Sequence, residues 1–202
     1  MVADAIGRYD RELLRPPAEV ADEFVFFTYQ TRWSLSTPSA RCATDKLIES
    51  VGGRARLGDV SLGELTGRRN DTAERNAALA CATPEEITRM PSRELAPDVD
   101  VTRLRALQVA LLAGAARERG LTADEASCLA TRTWGSLSDE DVLMLTRGGS
   151  SAQDLAKRLS GIEQLRSCVT TARMKELSDR LAPEVQRELQ ASSTTVSGPT
   201  RG

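Results

Sequence analysis

A short motif that ends in cysteine occurs twice in this chain of 202 residues and constrains its architecture more than any other feature. Residues 35–42 (LSTPSARC) and 121–128 (LTADEASC) share a leucine, a hydroxyl residue, an alanine and a cysteine at the same spacing. A second cysteine follows each copy, so that the two cysteine pairs are offset by 86 and 87 positions. A repeat of this kind predicts two copies of one structural unit.

A third landmark lies in the same register. Residues 93–99 (RELAPDV) match residues 179–185 (DRLAPEV) at an offset of 86. We therefore expect a tandem duplication with little linker between its halves. The predicted division is an N-terminal extension at 1–17, a first helical unit at 18–100, a second at 101–191 and a disordered tail at 192–202.

The composition favours helices within each unit. Aromatic residues make up only 3% of the chain, while alanine and leucine are abundant. The first helix of each unit, at about 19–33 and 101–119, carries apolar residues at spacings that favour one face. Thr122 and Glu125 have the spacing of a capping box. The predicted fold class is all-α, a tandem duplication of a unit of four to five helices.

Four cysteines in two matched pairs predict the disulfides Cys42–Cys81 and Cys128–Cys168, one in each unit. Each would close a loop of about 40 residues and contribute roughly 4 kcal/mol of stability. Two alternatives stay open: four reduced, buried cysteines in a cytosolic protein, or another of the three pairings that four cysteines allow. A zinc site of four cysteines is disfavoured, because no Cys-x-x-Cys occurs and the spacings are 39, 47 and 40.

The chain contains no histidine, which removes the commonest general base and the commonest metal ligand. It also lacks a phosphate-binding glycine loop, a calcium-binding loop and a nucleophile elbow. Its acidic runs, such as residues 139–141, are typical of the first turn of a helix. We therefore expect a protein without enzymatic activity, metal or cofactor. A hydrolase that uses only carboxylates would need two acids facing each other across a cleft, which a sequence cannot reveal.

Two surfaces are candidates for binding. The first is aromatic: one narrow helical stripe cannot bury all the aromatic residues of the first helix, so Phe26, Tyr29 and Trp33 are candidates for a partner surface. Packing of these residues against the second unit is the interpretation we favour.

The second candidate is a basic patch in the first unit, which consists of Arg54, Arg56, Arg68 and Arg69. It would suit an anion or an acidic partner, but a solvated loop is the simpler interpretation because acidic residues lie nearby. The net charge of −2 creates no global basic field, so no nucleic-acid partner is expected.

The repeated motif resembles that of exported or lipoprotein-type helical proteins of high-GC Gram-positive bacteria, which carry one or two cystine-bearing helical modules. The matching residues are Leu35, Ser36, Ala40, Cys42 and Cys81, then Leu121, Thr122, Ala126, Cys128 and Cys168. The resemblance implies an extracytoplasmic location and carries over no catalytic residue. The chain shows neither an export signal nor an apolar run long enough to span a bilayer, so we expect the targeting segment to be missing from it.

These observations lead to one functional hypothesis and one alternative. The hypothesis is a non-enzymatic extracytoplasmic module that binds or scaffolds another protein, attached to a membrane only through a segment absent from this chain. The alternative is a cytosolic regulatory protein that binds an acidic partner or nucleic acid through the arginine patch of the first unit.

Overall fold

The structure of the chain is a computed structural model that describes residues 14–66, 71–90, 95–147, 155 and 162–180. These residues form helices, turns and loops without any β-strand, so the predicted all-α class is confirmed. The α-helices are α1 (Ala18–Arg32), α2 (Thr37–Ser50), α3 (Leu62–Thr66), α4 (Asp71–Cys81), α5 (Pro84–Arg89), α6 (Val101–Glu118), α7 (Ala123–Gly135), α8 (Asp139–Arg147) and α9 (Ile162–Cys168). Residues 171–180 form a further helical stretch, α10, and a 3₁₀ helix spans Arg54–Asp59. The predicted tail at 192–202 lies outside the described residues.

Local side-chain capping defines where several helices begin. The Thr122 hydroxyl accepts a hydrogen bond from the Glu125 N–H (3.2 Å), and the Glu125 carboxylate accepts one from the Thr122 N–H (2.9 Å). The predicted capping box is thus confirmed, and it satisfies two N–H groups that the first turn of α7 leaves without a partner. The same reciprocal arrangement precedes α3, α5 and α8, at Ser61 with Glu64, Thr83 with Glu86 and Ser138 with Asp141.

Helices α1 and α2 are joined by a tight turn, and so are α6 and α7. Each turn contains one residue with a positive φ, Ser34 at 59° and Gly120 at 90°. The next residue, Leu35 or Leu121, is buried, and its N–H donates to a carbonyl of the preceding helix. Because a backbone bond and a buried leucine hold both turns, the second helix of each pair folds back along the first.

The packing order is similar in the two halves of the chain. In the first half α1 packs on α2 and α3, and α2 packs on α4. In the second half α6 packs on α7 and α8, and α7 packs on α9. The disulfide Cys42–Cys81 joins α2 to α4, with 5.8 Å between the Cα atoms, and Cys128–Cys168 joins α7 to α9, with 5.7 Å. Both predicted disulfides are therefore present.

The larger apolar core, called the main core below, crosses the predicted boundary at residue 100. It combines side chains of α1, such as Val25 and Phe27, with Leu104, Leu107 and Leu111 of α6. Because α6 covers α1, the first half buries its apolar surface only with the help of the second. The main core also includes Leu14, a residue of the predicted N-terminal extension, whose carbonyl accepts a hydrogen bond from the Leu62 N–H (2.9 Å).

A smaller core, called the small core below, lies within the second half. Among the described residues its buried members are Ala116, Leu121, Ala126, Leu129, Leu165, Val169 and Leu177. They come from the end of α6, the start of α7, and α9 and α10 with the turn between them. Helix α7 thus contributes to both cores, because Trp134 near its other end belongs to the main core.

Ionic contacts line the junction of α1, α2 and α6. The guanidinium carbon of Arg41 lies 3.9 Å from the centroid of the Phe26 ring, and that of Arg103 lies 5.3 Å from the same centroid. Both arginines also form ion pairs with Glu23. A cation within about 6 Å of an aromatic ring is attracted to its face. It links α6 to the first half beside the apolar contacts of the main core.

We expect Gly120→Ala to destabilise the protein by about 1–3 kcal/mol, because a φ of 90° is unfavourable for any residue with a Cβ. An added Cβ would also overlap the guanidinium of Arg180. The matched control is Gly135→Ala in α7, where the new Cβ would meet only Cγ2 of Thr131 at an ordinary 3.8 Å. Chemical denaturation measures both variants. An equal effect of the two substitutions would contradict the role of the turn.

Candidate functional site

The two disulfides are the most distinctive chemical groups of the described residues, and both reach the surface. Cys42 is exposed, and Cys81, Cys128 and Cys168 are half-buried. An open depression of about 490 Å³ lies between α7 and α9, and its lining residues are Arg132, Gly135, Ser136, Gln164 and Ser167. Neither disulfide is therefore fully buried.

The predicted aromatic partner surface lies mostly inside the protein. Phe26 is 2% exposed and Tyr29 is 0% exposed, and only Trp33 is partly accessible. More than one face of helix α1 is covered, because it has neighbours on several sides. These neighbours are α2, α3, α6, α8 and the 3₁₀ helix. This burial removes Phe26 and Tyr29 from the candidate partner surface. Of the packing against the second unit that we favoured, Phe26 shows a contact, since it lies near Arg103 of α6, while Tyr29 binds Glu74 within the first half.

A buried carboxylate anchors the aromatic side chains. Glu74 of α4 is 0% exposed, and its carboxylate accepts hydrogen bonds from Arg32 Nη1 (3.2 and 3.1 Å) and from the Trp33 indole N–H. The Tyr29 hydroxyl donates to the Glu74 backbone carbonyl (3.2 Å). Arg32 also pairs with Asp71 (2.9 Å). One carboxylate therefore joins α4 to the end of α1.

The electrostatics of this cluster follow from its burial. Desolvation raises the pKa of Glu74 and the negative charge of Asp71 raises it further, while the hydrogen bond from Trp33 and the charge of Arg32 lower it without cancelling the rise. Desolvation, followed by the charge of Glu74, raises the pKa of Tyr29. The two acids Asp71 and Glu74 share one guanidinium rather than facing each other across a cleft. The geometry favours a structural role for this cluster.

A second carboxylate joins the starts of α2 and α5. Glu86 is 2% exposed and accepts hydrogen bonds from the N–H groups of Ser36 (2.7 Å) and Thr83 (2.7 Å) and from the Ser39 hydroxyl (2.8 Å). Burial alone would raise the pKa of Glu86, but these hydrogen bonds together lower it to about 2. The Asp98 carboxylate accepts another bond at the same helix end, from the Thr37 N–H (2.7 Å).

The predicted arginine patch is only partly described. Arg54 is exposed, but it pairs with Asp45 (2.5 Å) and Asp22 (3.6 Å), and the first of these contacts is the main cause of its raised pKa. Arg56 is exposed. Arg68 and Arg69 lie outside the described residues. The positive charge of Arg54 is therefore balanced within the chain, which weakens the patch as an anion site.

Two large apolar side chains are exposed in the part of the chain that the structure describes, Leu79 at 42% and Ile87 at 44%. They lie on the consecutive helices α4 and α5, on either side of Cys81. Leu79 shares the exposed face of α4 with Thr72 and Arg75. Neither residue was predicted from the sequence to be exposed. The sequence gives little indication of their exposure, because an apolar residue in a short amphipathic helix is ordinarily assigned to the buried face of that helix.

No group of three or more metal-ligating side chains occurs among the described residues. A search of the same residues finds no helix that could cross a membrane.

We expect Glu86→Gln to lower the free energy of unfolding at pH 7 by about 2–3 kcal/mol, since a pKa of about 2 instead of 4.5 corresponds to roughly 3 kcal/mol. The pKa of the folded state lies below that of the unfolded state. The stabilisation is therefore complete above pH 4.5 and is lost as the pH falls toward 2. Denaturation between pH 2 and 7 measures the effect, and Glu85→Gln, at an exposed position of the same turn, is the control. Parallel pH profiles for wild type and Glu86→Gln would refute the assignment.

Comparison with known proteins gives no relative from which a function could be carried over. Searches against protein-family models, curated proteins and solved structures found no match to this chain. A functional proposal for this protein therefore depends on its own residues and their geometry.

Proposed function

We propose that this protein is a non-enzymatic, extracytoplasmic binding or scaffolding module that acts through contacts with another protein. The observation that carries the proposal is the pairing of all four cysteines in two partly exposed disulfides. Such disulfides persist in oxidising compartments and are rare in the cytosol. The resemblance of the repeated motif to exported helical proteins of high-GC Gram-positive bacteria supports the same location.

The proposal includes an origin by tandem duplication, and the polar contacts of the two halves support it. Thr83 precedes α5 and Thr170 precedes α10, 87 positions apart, and the hydroxyl of each accepts a hydrogen bond from the N–H three residues later. At an offset of 86, Ser36 and Thr122 precede α2 and α7 with similar extended conformations. Thr83 and Thr170 therefore have the same capping role, while Ser36 and Thr122 share a backbone conformation and only Thr122 accepts a capping hydrogen bond.

One contact between corresponding helices carries different charges in the two halves. In the first half the carboxylate of Glu86 reaches from α5 to Ser36 and Ser39 at the start of α2. In the second half the position of Ser39 corresponds to Glu125, which caps α7 locally, and the position of Glu86 corresponds to Arg173.

Arg173 lies 3.8 Å from the Glu125 carboxylate and donates to the Gly120 carbonyl (2.9 Å). If two copies of one unit diverge but keep a contact, both positions of that contact are expected to change together.

We expect Arg173→Glu alone to destabilise the protein, because it places two carboxylates together beside Thr122. The double variant Glu125→Ser with Arg173→Glu should recover most of this loss, since it reproduces the arrangement of the first half. The control is Lys175→Glu, an equal charge change at an exposed position of α10. Denaturation of all variants gives the coupling energy. Additive effects of Glu125→Ser and Arg173→Glu would argue against equivalent contacts.

The surface proposed for the partner is the face around Leu79 and Ile87 on α4 and α5. Each side chain is more than two-fifths exposed, so contact with an apolar surface would remove it from water. The disulfide at Cys81 links the end of α4 to α2, and Glu86 links α5 to the start of α2. Both helices are thus held in place before a partner binds, which lowers the entropy cost of binding.

The alternative, a cytosolic protein that binds an acidic partner or nucleic acid through arginines, has less support. Arg54 is paired with Asp45 and Asp22, so part of the positive charge it requires is already neutralised. Reduced cysteines would be expected in that compartment.

A photo-crosslinking amino acid at position 79 or 87, introduced in the cells that make the protein, tests the partner surface. We expect both positions to give an adduct with the same protein, and we expect position 131, exposed on α7, to give none. Leu79→Glu should weaken binding of the purified partner at least tenfold, while Thr131→Glu should not.

In the same cells, acid quenching followed by alkylation should find all four cysteines blocked. Free thiols would refute the proposed location, and adducts from position 131 alone would refute the proposed surface.

A further inference from the structure

The proposed partner surface lies next to the first disulfide. In α4, Leu79 is separated from Cys81 by a single residue, and α5, which carries Ile87, begins shortly after Cys81. Cys81 is bonded to Cys42, an exposed residue of α2. The disulfide therefore attaches the end of α4 that carries Leu79 to α2.

Apolar packing contributes little to the attachment of α4, which lies wholly within the described residues. Leu79 is its only large apolar side chain, and it is 42% exposed. Apart from Cys81, the side chains of α4 and of the next residue that pack in or against the main core are all alanines, namely Ala73, Ala77, Ala78 and Ala82. Because an alanine removes little apolar surface from water, other contacts must hold this helix in place.

The polar contacts of α4 lie at its other end. Arg32 pairs with Asp71 (2.9 Å) and with Glu74 (3.1 Å), and the Trp33 indole N–H donates to the same Glu74 carboxylate. In this described helix, no side chain from 75 to 81 forms a hydrogen bond or an ion pair. The C-terminal half of α4 is therefore held by alanines and by one covalent bond.

Helix α5 is held independently of the disulfide. The Glu86 carboxylate is buried and accepts hydrogen bonds from the Ser36 N–H (2.7 Å) and the Ser39 hydroxyl (2.8 Å), both at the start of α2. These contacts involve no cysteine. They therefore keep Ile87, the next residue of α5, in place whether or not the disulfide is closed.

We propose that the oxidation state of Cys42–Cys81 controls the partner surface. Reduction frees the C-terminal half of α4, so that Leu79 loses its fixed position relative to Ile87. The partner then binds less tightly, because it must order this part of the helix as it binds. Reduction of Cys128–Cys168 has no such effect, since that bond joins α7 to α9. The control of binding rests on the function proposed above, whereas the freeing of α4 needs no partner.

The reaction is a thiol–disulfide exchange with a dithiol reductant. One thiolate of the reductant attacks the sulfur of Cys42, the more exposed member of the pair, and Cys81 leaves as a thiolate. The second thiol of the reductant loses its proton, attacks the mixed disulfide and displaces Cys42. The reductant ends as a disulfide that has given up two electrons and two protons, and Cys42 and Cys81 end as thiols.

Hydrogen exchange of the full-length protein, followed residue by residue, measures the freeing of α4. In the variant pair Cys42→Ser with Cys81→Ser, the amides of residues 78–82 should exchange at least about tenfold faster than in the oxidised wild type. The amides of 24–30 and 40–48, in α1 and α2, should keep their rates. The matched control is Cys128→Ser with Cys168→Ser, which should leave exchange at 78–82 unchanged.

Dithiothreitol added to this control variant opens the first disulfide alone and should reproduce the fast exchange at 78–82. Alkylation and mass spectrometry verify that Cys42 and Cys81 are then free. Unchanged protection of 78–82 after the bond is opened would overturn the proposal. So would loss of protection throughout α1 and α2, because the disulfide would then support the whole first half rather than one end of α4.

The photo-crosslinking amino acid at position 87 measures the control of binding in the cells that make the protein. The yield of its adduct should fall at least about tenfold with Cys42→Ser and Cys81→Ser, because a freed α4 raises the cost of binding. The yield should not fall with Cys128→Ser and Cys168→Ser. Equal yields from the two variant pairs would overturn the control of binding. Absence of any adduct from the wild type would instead refute the partner surface, and the control of binding with it.

Discussion

The covalent links between short helices are the constraint on which the rest of the structure depends. Helix α4 buries only Ala77, Ala78 and Glu74, and an alanine removes little apolar surface from water. Packing of so small a face would hold an eleven-residue helix weakly. A disulfide that closes a loop of about 40 residues adds roughly 4 kcal/mol. It is therefore comparable with the whole apolar contribution of the helix that it secures.

Besides the disulfide, the carboxylates of Glu74 and Glu86 also link helices of the first half. Each is a buried carboxylate whose oxygens are occupied by donors from another helix, so each defines a relative position as well as a contact. Their pKa values move in opposite directions for a clear reason. Desolvation dominates at Glu74, while donors from Ser36, Thr83 and Ser39 dominate at Glu86. A glutamate thus occupies both buried sites, and the number of N–H and O–H groups that donate to it decides the direction of its pKa shift.

Local signals in the sequence predicted the local structure well. The capping box at Thr122 and Glu125, the all-α class and the pairing of four cysteines follow from spacing and residue type, and the structure contains all three. The environment of α1 could not be predicted in the same way. Its number of neighbours is a tertiary property, so helical periodicity could not show that Phe26 and Tyr29 are both covered.

The exposure of Leu79 and the pairing of Arg54 with Asp22 and Asp45 are hidden from the sequence for the same reason. Each depends on which helices meet in the folded chain.

The unequal cores explain why a repeated sequence need not give two independent domains. Leu104, Leu107 and Leu111 of α6 complete the main core, so the first half depends on the second for burial of Val25 and Phe27. The ring of Phe26, which has Arg41 on one helix and Arg103 on another, crosses the same boundary.

A helix that packs on both halves leaves fewer apolar side chains for the end of its own half. Among the described residues, α9 and α10 are held by the small core, by two arginines at carbonyl groups, by the ion pair of Arg173 with Glu125 and by one disulfide. The close association of the two halves is thus a consequence of the placement of α6.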